Sequence, residues 1–212
     1  MRSICQYNPP VVRLAVLASH EGTTLQSVLD ACAAGTIPCR VVVVISNNRE
    51  SRALERARAA DVPAHHLSSQ THPGPEALDT VICQVLVDAG AELVLLAGYM
   101  KRVGPHTLTR FRGRILNTHP ALLPKFGGQG MYGLHVHRAV LASGETVTGP
   151  SIHVVTEEYD AGPVIAQREV VIDREENPEG LALRVQECER TLLVETLGSI
   201  ARGQLRLPGF EK

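Results

Sequence analysis

The sequence has no tryptophan, three phenylalanines and four tyrosines in 212 residues. So few rings argue against a surface that stacks nucleic-acid bases. A formal net charge of −1 supplies no basic field for nucleic acid or for an anionic membrane. No apolar run approaches the ~18 residues of a membrane-spanning helix, and Met1–Pro10 lacks the apolar stretch of a secretion signal. Five cysteines (Cys5, Cys32, Cys39, Cys83, Cys188) are dispersed with no C-x-x-C pair, the usage expected of reduced thiols in a cytoplasmic protein. No histidine or cysteine group has zinc spacing, so no metal is expected. The nearest pair, His135-x-His137, lies in a loop before a helix and reads as solvated. The dinucleotide fingerprint G-x-G-x-x-G is missing as well, which weighs against a nucleotide-dependent oxidoreductase.

What is present suits one globular domain: 44% hydrophobic and 20% charged residues, in a chain long enough to bury a large core. Met1–Pro10 reads as a flexible tail. Val11–Ser19 and Val41–Ile45 are near-continuous apolar runs, as expected of strands buried on both faces. Between them Leu25, Val28, Leu29 and Cys32 recur at helical spacing. Thr23 and Gln26 fit a capping box at the helix start, and Gly35 is placed to end it. Further helices are expected around Arg52–Ala60 and Glu76–Ala89, with strands at Ala64–Leu67 and Leu93–Ala97. Strands alternating with helices of this length imply βαβ units. The fold class is therefore α/β: a single Rossmann-like domain with a mostly parallel twisted sheet flanked by helices. In the second half, Thr148–Val155 and Val164–Ile172 read as two long strands. Glu179–Arg202 reads as a long helix, and Gln204–Leu207 as a last edge strand.

The stretch that stands out is Ile115-Leu116-Asn117-Thr118-His119-Pro120-Ala121-Leu122-Leu123-Pro124. It opens as a buried strand and breaks at prolines that cannot donate to a ladder. Asn117 and His119, two apart, project to one side of the strand's carboxyl end. An amide donor beside an imidazole suits stabilising an oxyanion and moving a proton. Gly22-Thr23-Thr24 offers backbone N–H groups and hydroxyls at a helix start, a candidate anion site or a plain capped helix. Gly127, Gly128, Gly130 and Gly133 make the following loop either a lid or a flexible insertion. On local pattern alone, Asp160 is a turn residue and Glu189 a solvated helix charge.

Leu116-Asn117-Thr118-His119-Pro120 with Leu122-Leu123-Pro124 resembles the signature of the formyltetrahydrofolate-dependent formyl transferases. Glu158-Tyr159-Asp160-Ala161-Gly162-Pro163-Val164-Ile165 resembles that family's second catalytic loop, in the family's order. The similarity runs from about Leu14 to Leu207 and is greatest to members that formylate glycinamide ribonucleotide in purine biosynthesis. It implies 10-formyltetrahydrofolate as co-substrate and Asn117, His119 and Asp160 as the catalytic set. His119 as imidazolium and the Asn117 amide would donate to the oxyanion, while Asp160 would hold the imidazolium and take up the amine's proton. The resemblance also places the acceptor's phosphate on Gly22, Thr23 and Thr24, with Gln186 and Glu189 as further substrate-binding residues. Met100, Lys101, Arg102 and Val103, with Asn117 and Thr156, Glu157, Glu158, Tyr159 and Asp160, would bind the folate. Residues 11–116 would form a phosphate-binding half, and 117–212 a catalytic and folate-binding half.

Three departures accompany the resemblance. Many relatives have Gly-Ser-Asn at Gly22–Thr24. An arginine that reaches folate in some members aligns with Pro75, so that contact is absent or Arg102 or another cation replaces it. Gly127–Gly133 is longer than the corresponding loop of the shorter-looped members. A formyltetrahydrofolate deformylase is the alternative enzyme, expected to carry an N-terminal regulatory domain. A transferase acting on initiator tRNA would add a C-terminal domain and a basic surface. A nucleotide-binding module without catalysis leaves the Asn117/His119/Asp160 coincidence unexplained. The small-molecule partners exclude nucleic acid and membrane, and a homodimer is compatible with them.

Overall fold

The computed structural model describes residues 11–210; the expected tail and Cys5 lie outside the described residues. β1 (Val12–Leu17), α1 (Thr23–Ala33), β2 (Cys39–Ser46), α2 (Arg52–Ala59) and β3 (Ala64–His66) alternate through the first third of the chain. α3 (Pro75–Asp88) then leads to β4 (Leu93–Leu96), α4 (Pro105–Arg110) and β5 (Ile115–His119). A seven-stranded sheet has the order β3-β2-β1-β4-β5-β7-β8, where β7 is Ser151–Val154 and β8 is Val164–Gln167. The first five strands in that order run parallel, and β7 and β8 add antiparallel pairs. This is the expected α/β class.

Apolar runs become central strands because both faces of the sheet are covered. In β1, Val12, Leu14 and Val16 join one apolar cluster, while Ala15 and Leu17 join the other. β4 splits the same way, Leu93 and Leu95 against Val94 and Leu96. β2 contains one residue more than its partner needs: Leu14 pairs with Val41 and Ala15 with Val43, so Val42 is bulged out. Helices α1 and α2 cover one face, and α3 covers the other. The chain therefore winds outward from β1 on one face and returns to β4 on the opposite one. Between the carboxyl ends of β1 and β4 the direction of winding switches, which opens a crevice there.

α1 begins at Thr23 with Gly22 as N-cap, φ +65°, and no side-chain cap. The expected capping box does not form, because Thr23 lies inside the helix and Gln26 instead bonds Arg56 Nη1 and Asp30. Gly35 does end α1: its N–H reaches Cys32 O, and Thr36 N–H reaches Ala31 O. α4 was not foreseen. Pro105 starts it, and buried Asp79 on α3 caps it by accepting from His106 N and Thr107 N.

Each long strand expected in the second half is instead two strands in different sheets. Thr148–Val155 divides at Gly149-Pro150 into β6 (Val147–Thr148) and β7; Val164–Ile172 divides at Arg168-Glu169 into β8 and β9 (Val170–Val171). β6 and β9 form their own two-stranded sheet. Gly149 makes the corner possible, since a Cβ there would lie 1.8 Å from Arg168 O. α5 (Leu134–Ala142) packs Val136 and Val140 against Leu181 and Val185 of α6 (Pro178–Ala201). Asn177 caps α6 by accepting from Gly180 N, and Gly203 follows its end at φ +71°. The edge strand expected at Gln204–Leu207 is absent, with only an isolated bridge joining Leu207 to Phe210.

Candidate active site

Two cavities open along the carboxyl edge of the sheet. A chamber of about 580 Å³ is lined by Gly22, Thr23 and Thr24, by Met100 and Lys101, by Asn117 and His119, by Tyr159 and Asp160, and by Gln186 and Glu189. A wider one of about 1460 Å³ is lined by Lys101, Arg102, Val103 and Glu157 among others. His20, Tyr99 and Lys101 border both, so the two adjoin. Most residues singled out in the sequence thus converge from distant parts of the chain. Thr156 and Glu158 line neither cavity; the Thr156 hydroxyl donates to Glu158 O within their own loop.

Pairing of β5 with β7 builds the centre. Asn117 lies opposite His153 and His119 opposite Ser151, and directly opposed residues share a face. Asn117 Nδ2 is 3.0 Å from His153 Nε2. His153 Nδ1 lies 3.2 Å from Val154 O, a contact in which the ring donates, so Nε2 is the nitrogen turned toward Asn117 and Asp160. The second N–H of Asn117 has no protein partner among the described residues and borders the narrow chamber. Ser151 holds the proline-bounded exit of β5, accepting from Leu123 N and donating to Ala121 O. The Leu123-Pro124 bond is cis.

His119 is 3% exposed. Its Nε2 donates to Phe126 O at 2.7 Å, which leaves Nδ1 facing Asp160 Oδ2 at 3.5 Å. A backbone carbonyl on one ring nitrogen fixes the tautomer and leaves the other nitrogen free to take a proton. Burial pushes the imidazole below its ordinary pKa, although Asp160 and the Phe126 carbonyl pull upward. The lowered pKa leaves Nδ1 of His119 available to take up a proton. Asp160 occupies left-handed backbone at φ +53°. Its Oδ2 accepts from Gly128 N at 2.9 Å, and its Oδ1 lies 3.4 Å from His153 Nε2. Burial alone would raise its pKa, but the contacts from His153 and Gly128 and the nearby imidazoles hold it below the usual value. It is a carboxylate at neutral pH.

Elsewhere in the lining of the narrow chamber, Gly22, Thr23 and Thr24 present backbone N–H groups without partners among the described residues. That helix terminus carries partial positive charge suited to an anion. Thr24 Oγ1 donates to Glu189 Oε1 at 3.1 Å. Glu189 is buried and not solvated, and burial raises its pKa while the Thr24 and Thr118 hydroxyls pull it down. His137, read from sequence as solvated, is also buried and lines the chamber.

His153, Thr118 and the Phe126 carbonyl escaped sequence reasoning. His153 had a signal: it follows Ser151 by two in a run that alternates polar and apolar side chains opposite Asn117. The Phe126 carbonyl had none, because a backbone oxygen has no residue identity. Among the described residues no cluster of histidine, cysteine and carboxylate side chains could hold a metal, and no helix is long and apolar enough to cross a membrane.

A strand-end Asn/His pair, a left-handed aspartate and a doubly wound sheet define a class, and comparison with known proteins gives its name. Residues 12–197 match the family described as formyl transferase, and the chain belongs to it. Among its relatives are proteins named phosphoribosylglycinamide formyltransferase. That of Mycobacterium tuberculosis is 42% identical over 189 residues, covering 89% of this chain and 85% of the relative. That of Escherichia coli is 35% identical over 196 residues, covering 92% and 90%. A solved structure, glycinamide ribonucleotide transformylase 1 from Symbiobacterium toebii, superposes with a TM-score of 0.88 at 38% identity, covering 99% of this chain and 96% of that one.

Proposed function

We propose that this protein transfers the formyl group of 10-formyltetrahydrofolate to the amino group of glycinamide ribonucleotide, a step of de novo purine biosynthesis. The observation that carries the reading is one chamber lined both by an anion-ready helix start and by Asn117, His119 and Asp160. The acceptor's phosphate docks on Gly22, Thr23 and Thr24, and Gln186 and Glu189 bind the rest of that substrate. The folate enters from the wide chamber along Met100–Val103 and the 156–160 loop, so that its formyl carbon meets the amine beside β5.

The amine nitrogen attacks the formyl carbon, and the carbonyl electron pair moves to oxygen. The free N–H of Asn117 donates to that oxyanion. His119, neutral and with Nδ1 unprotonated, accepts the proton shed by the new ammonium centre. Asp160 stabilises the imidazolium so formed, and return of the proton to the departing folate nitrogen completes transfer. No step needs a metal. In this reading residues 11–116 supply most of the phosphate site and 117–212 the proton chemistry, in the cytoplasm. Sedimentation would test a homodimer. Formyl transfer to glycinamide ribonucleotide, measured alongside donor hydrolysis with the acceptor omitted, separates a transferase from a deformylase.

A further inference from the structure

We infer that Arg102 is a positioning residue, whose guanidinium clasps the loop carrying Asp160 and thereby sets the passage through which the formyl donor reaches the narrow chamber. The inference rests on the formyl-transfer reading above. Loop 156–160 is pinned at both ends. Val155 N donates to Ile115 O at 2.8 Å, Val154 N donates to Pro163 O at 2.9 Å, and a Cβ on Gly162 would lie 1.8 Å from Val154 O. Between the pins, the Thr156–Glu158 bond is internal to the loop. Among the described residues, the polar contacts that tie 156–159 to the rest of the fold come from Arg102. Its Nη2 donates to Glu157 O at 2.6 Å, and its guanidinium carbon stands 5.7 Å from the Tyr159 ring centroid.

Tyr159 is 52% exposed, so burial does not hold it in place. The next residue, Asp160, sits in left-handed backbone, which aspartate tolerates better than most non-glycine residues, so the loop's own contacts must set its position. Arg102 and Glu157 line the wide chamber, Tyr159 and Asp160 the narrow one, and Lys101 borders both. The clasp therefore spans the junction that an elongated donor must cross, while Gly22, Thr23 and Thr24 line the narrow chamber alone. An arginine fork can bond a carbonyl and lie over a ring at once, whereas a lysine ammonium is a point charge and can replace only part of this. Because Arg102 is exposed, its loss acts on the loop more than on the stability of the fold.

The test compares wild type, Arg102→Lys and Arg102→Ala by amide hydrogen exchange over 156–160, by steady-state kinetics in each substrate and by melting temperature. In Arg102→Ala, loop exchange should quicken about tenfold and KM for 10-formyltetrahydrofolate should rise about tenfold, the size of a lost charge-assisted contact. KM for glycinamide ribonucleotide and the melting temperature should barely move, and Arg102→Lys should fall between. Unchanged exchange in Arg102→Ala would refute the clasp whether or not the protein transfers formyl groups. Faster exchange with an unchanged donor KM would refute its link to the donor, as would equal rises in both KM values. Absence of transfer in wild type would overturn the functional reading instead, and the exchange measurement would still decide the clasp.

Discussion

His119 can act as a proton acceptor because the protein settles its tautomer before substrate arrives. Nε2–H donates to Phe126 O, burial lowers the ring's pKa, and Asp160 stands 3.5 Å from Nδ1. The ring should titrate below 6.5 in the unliganded protein, so turnover should fall as acid protonates it. In Asp160→Asn the midpoint should drop further, since the carboxylate favours the charged ring; histidine NMR in both proteins checks this. A wild-type midpoint at or above 6.5, or one that Asp160→Asn leaves unmoved, would contradict the assignment. Glu189 shows the opposite displacement. Its folded pKa lies above the unfolded value, so the native state binds that proton more tightly. The resulting stabilisation is complete below about 4.5 and disappears as pH rises through the folded value. Glu189→Gln should thus raise the melting temperature at pH 8 but not at pH 4, while raising acceptor KM about tenfold or more. Equal melting shifts at both pH values would mean that Glu189 is not strained by burial.

At the scale of elements, turns decide what the site can bind. Gly22 needs its φ of +65°, and a Cβ there would stand 2.8 Å from Ala53 of α2. Gly22→Ala should cost about 1–2 kcal/mol of stability and weaken acceptor binding more than donor binding. Adding Ala53→Gly should recover little of the loss, because it removes the Ala53 Cβ contact but leaves Ala53 Cα, also 2.8 Å away, and the strained conformation. Full recovery in denaturant melts would place the whole cost in the Ala53 Cβ. Gly149→Ala should be worse, ~3 kcal/mol, since its Cβ would lie only 1.8 Å from a backbone carbonyl oxygen, against 2.8 Å for the nearest atom at Gly22. These corners also explain which elements were legible. Val41–Ile45 and Leu93–Leu96 announced themselves, because strands covered on both faces tolerate little but apolar residues. The division of Thr148–Val155 was written only in Gly149-Pro150, and its apolar periodicity runs on through the corner. Asn117, His119 and Asp160 stood out by family order, whereas the burial of Glu189 depends on α6 crossing behind α1, which no local pattern reports.

At the scale of the molecule, strand order creates the site. Placing β1 beside β4 brings the turn after Leu17 next to the turn after Leu96, and β5 then delivers Asn117 and His119 to the same edge. The antiparallel addition of β7 supplies His153 from behind and returns the chain to Asp160. One edge of one sheet thus brings the Gly22 turn, Asn117, His119 and Asp160 to a single chamber, with a second chamber adjoining it. In the proposed reaction they serve as anion site, oxyanion donor, proton acceptor and its carboxylate partner. The most direct test follows formyl groups from labelled 10-formyltetrahydrofolate, with and without glycinamide ribonucleotide, in wild type, His119→Ala, Asp160→Asn and the double variant. The account predicts labelled formylglycinamide ribonucleotide only when both substrates are present. It predicts a loss of ~10²–10⁴ in turnover for His119→Ala, and a double variant little worse than the weaker single one. Release of labelled formate at the same rate with or without the acceptor, or full transfer by His119→Ala, would contradict it.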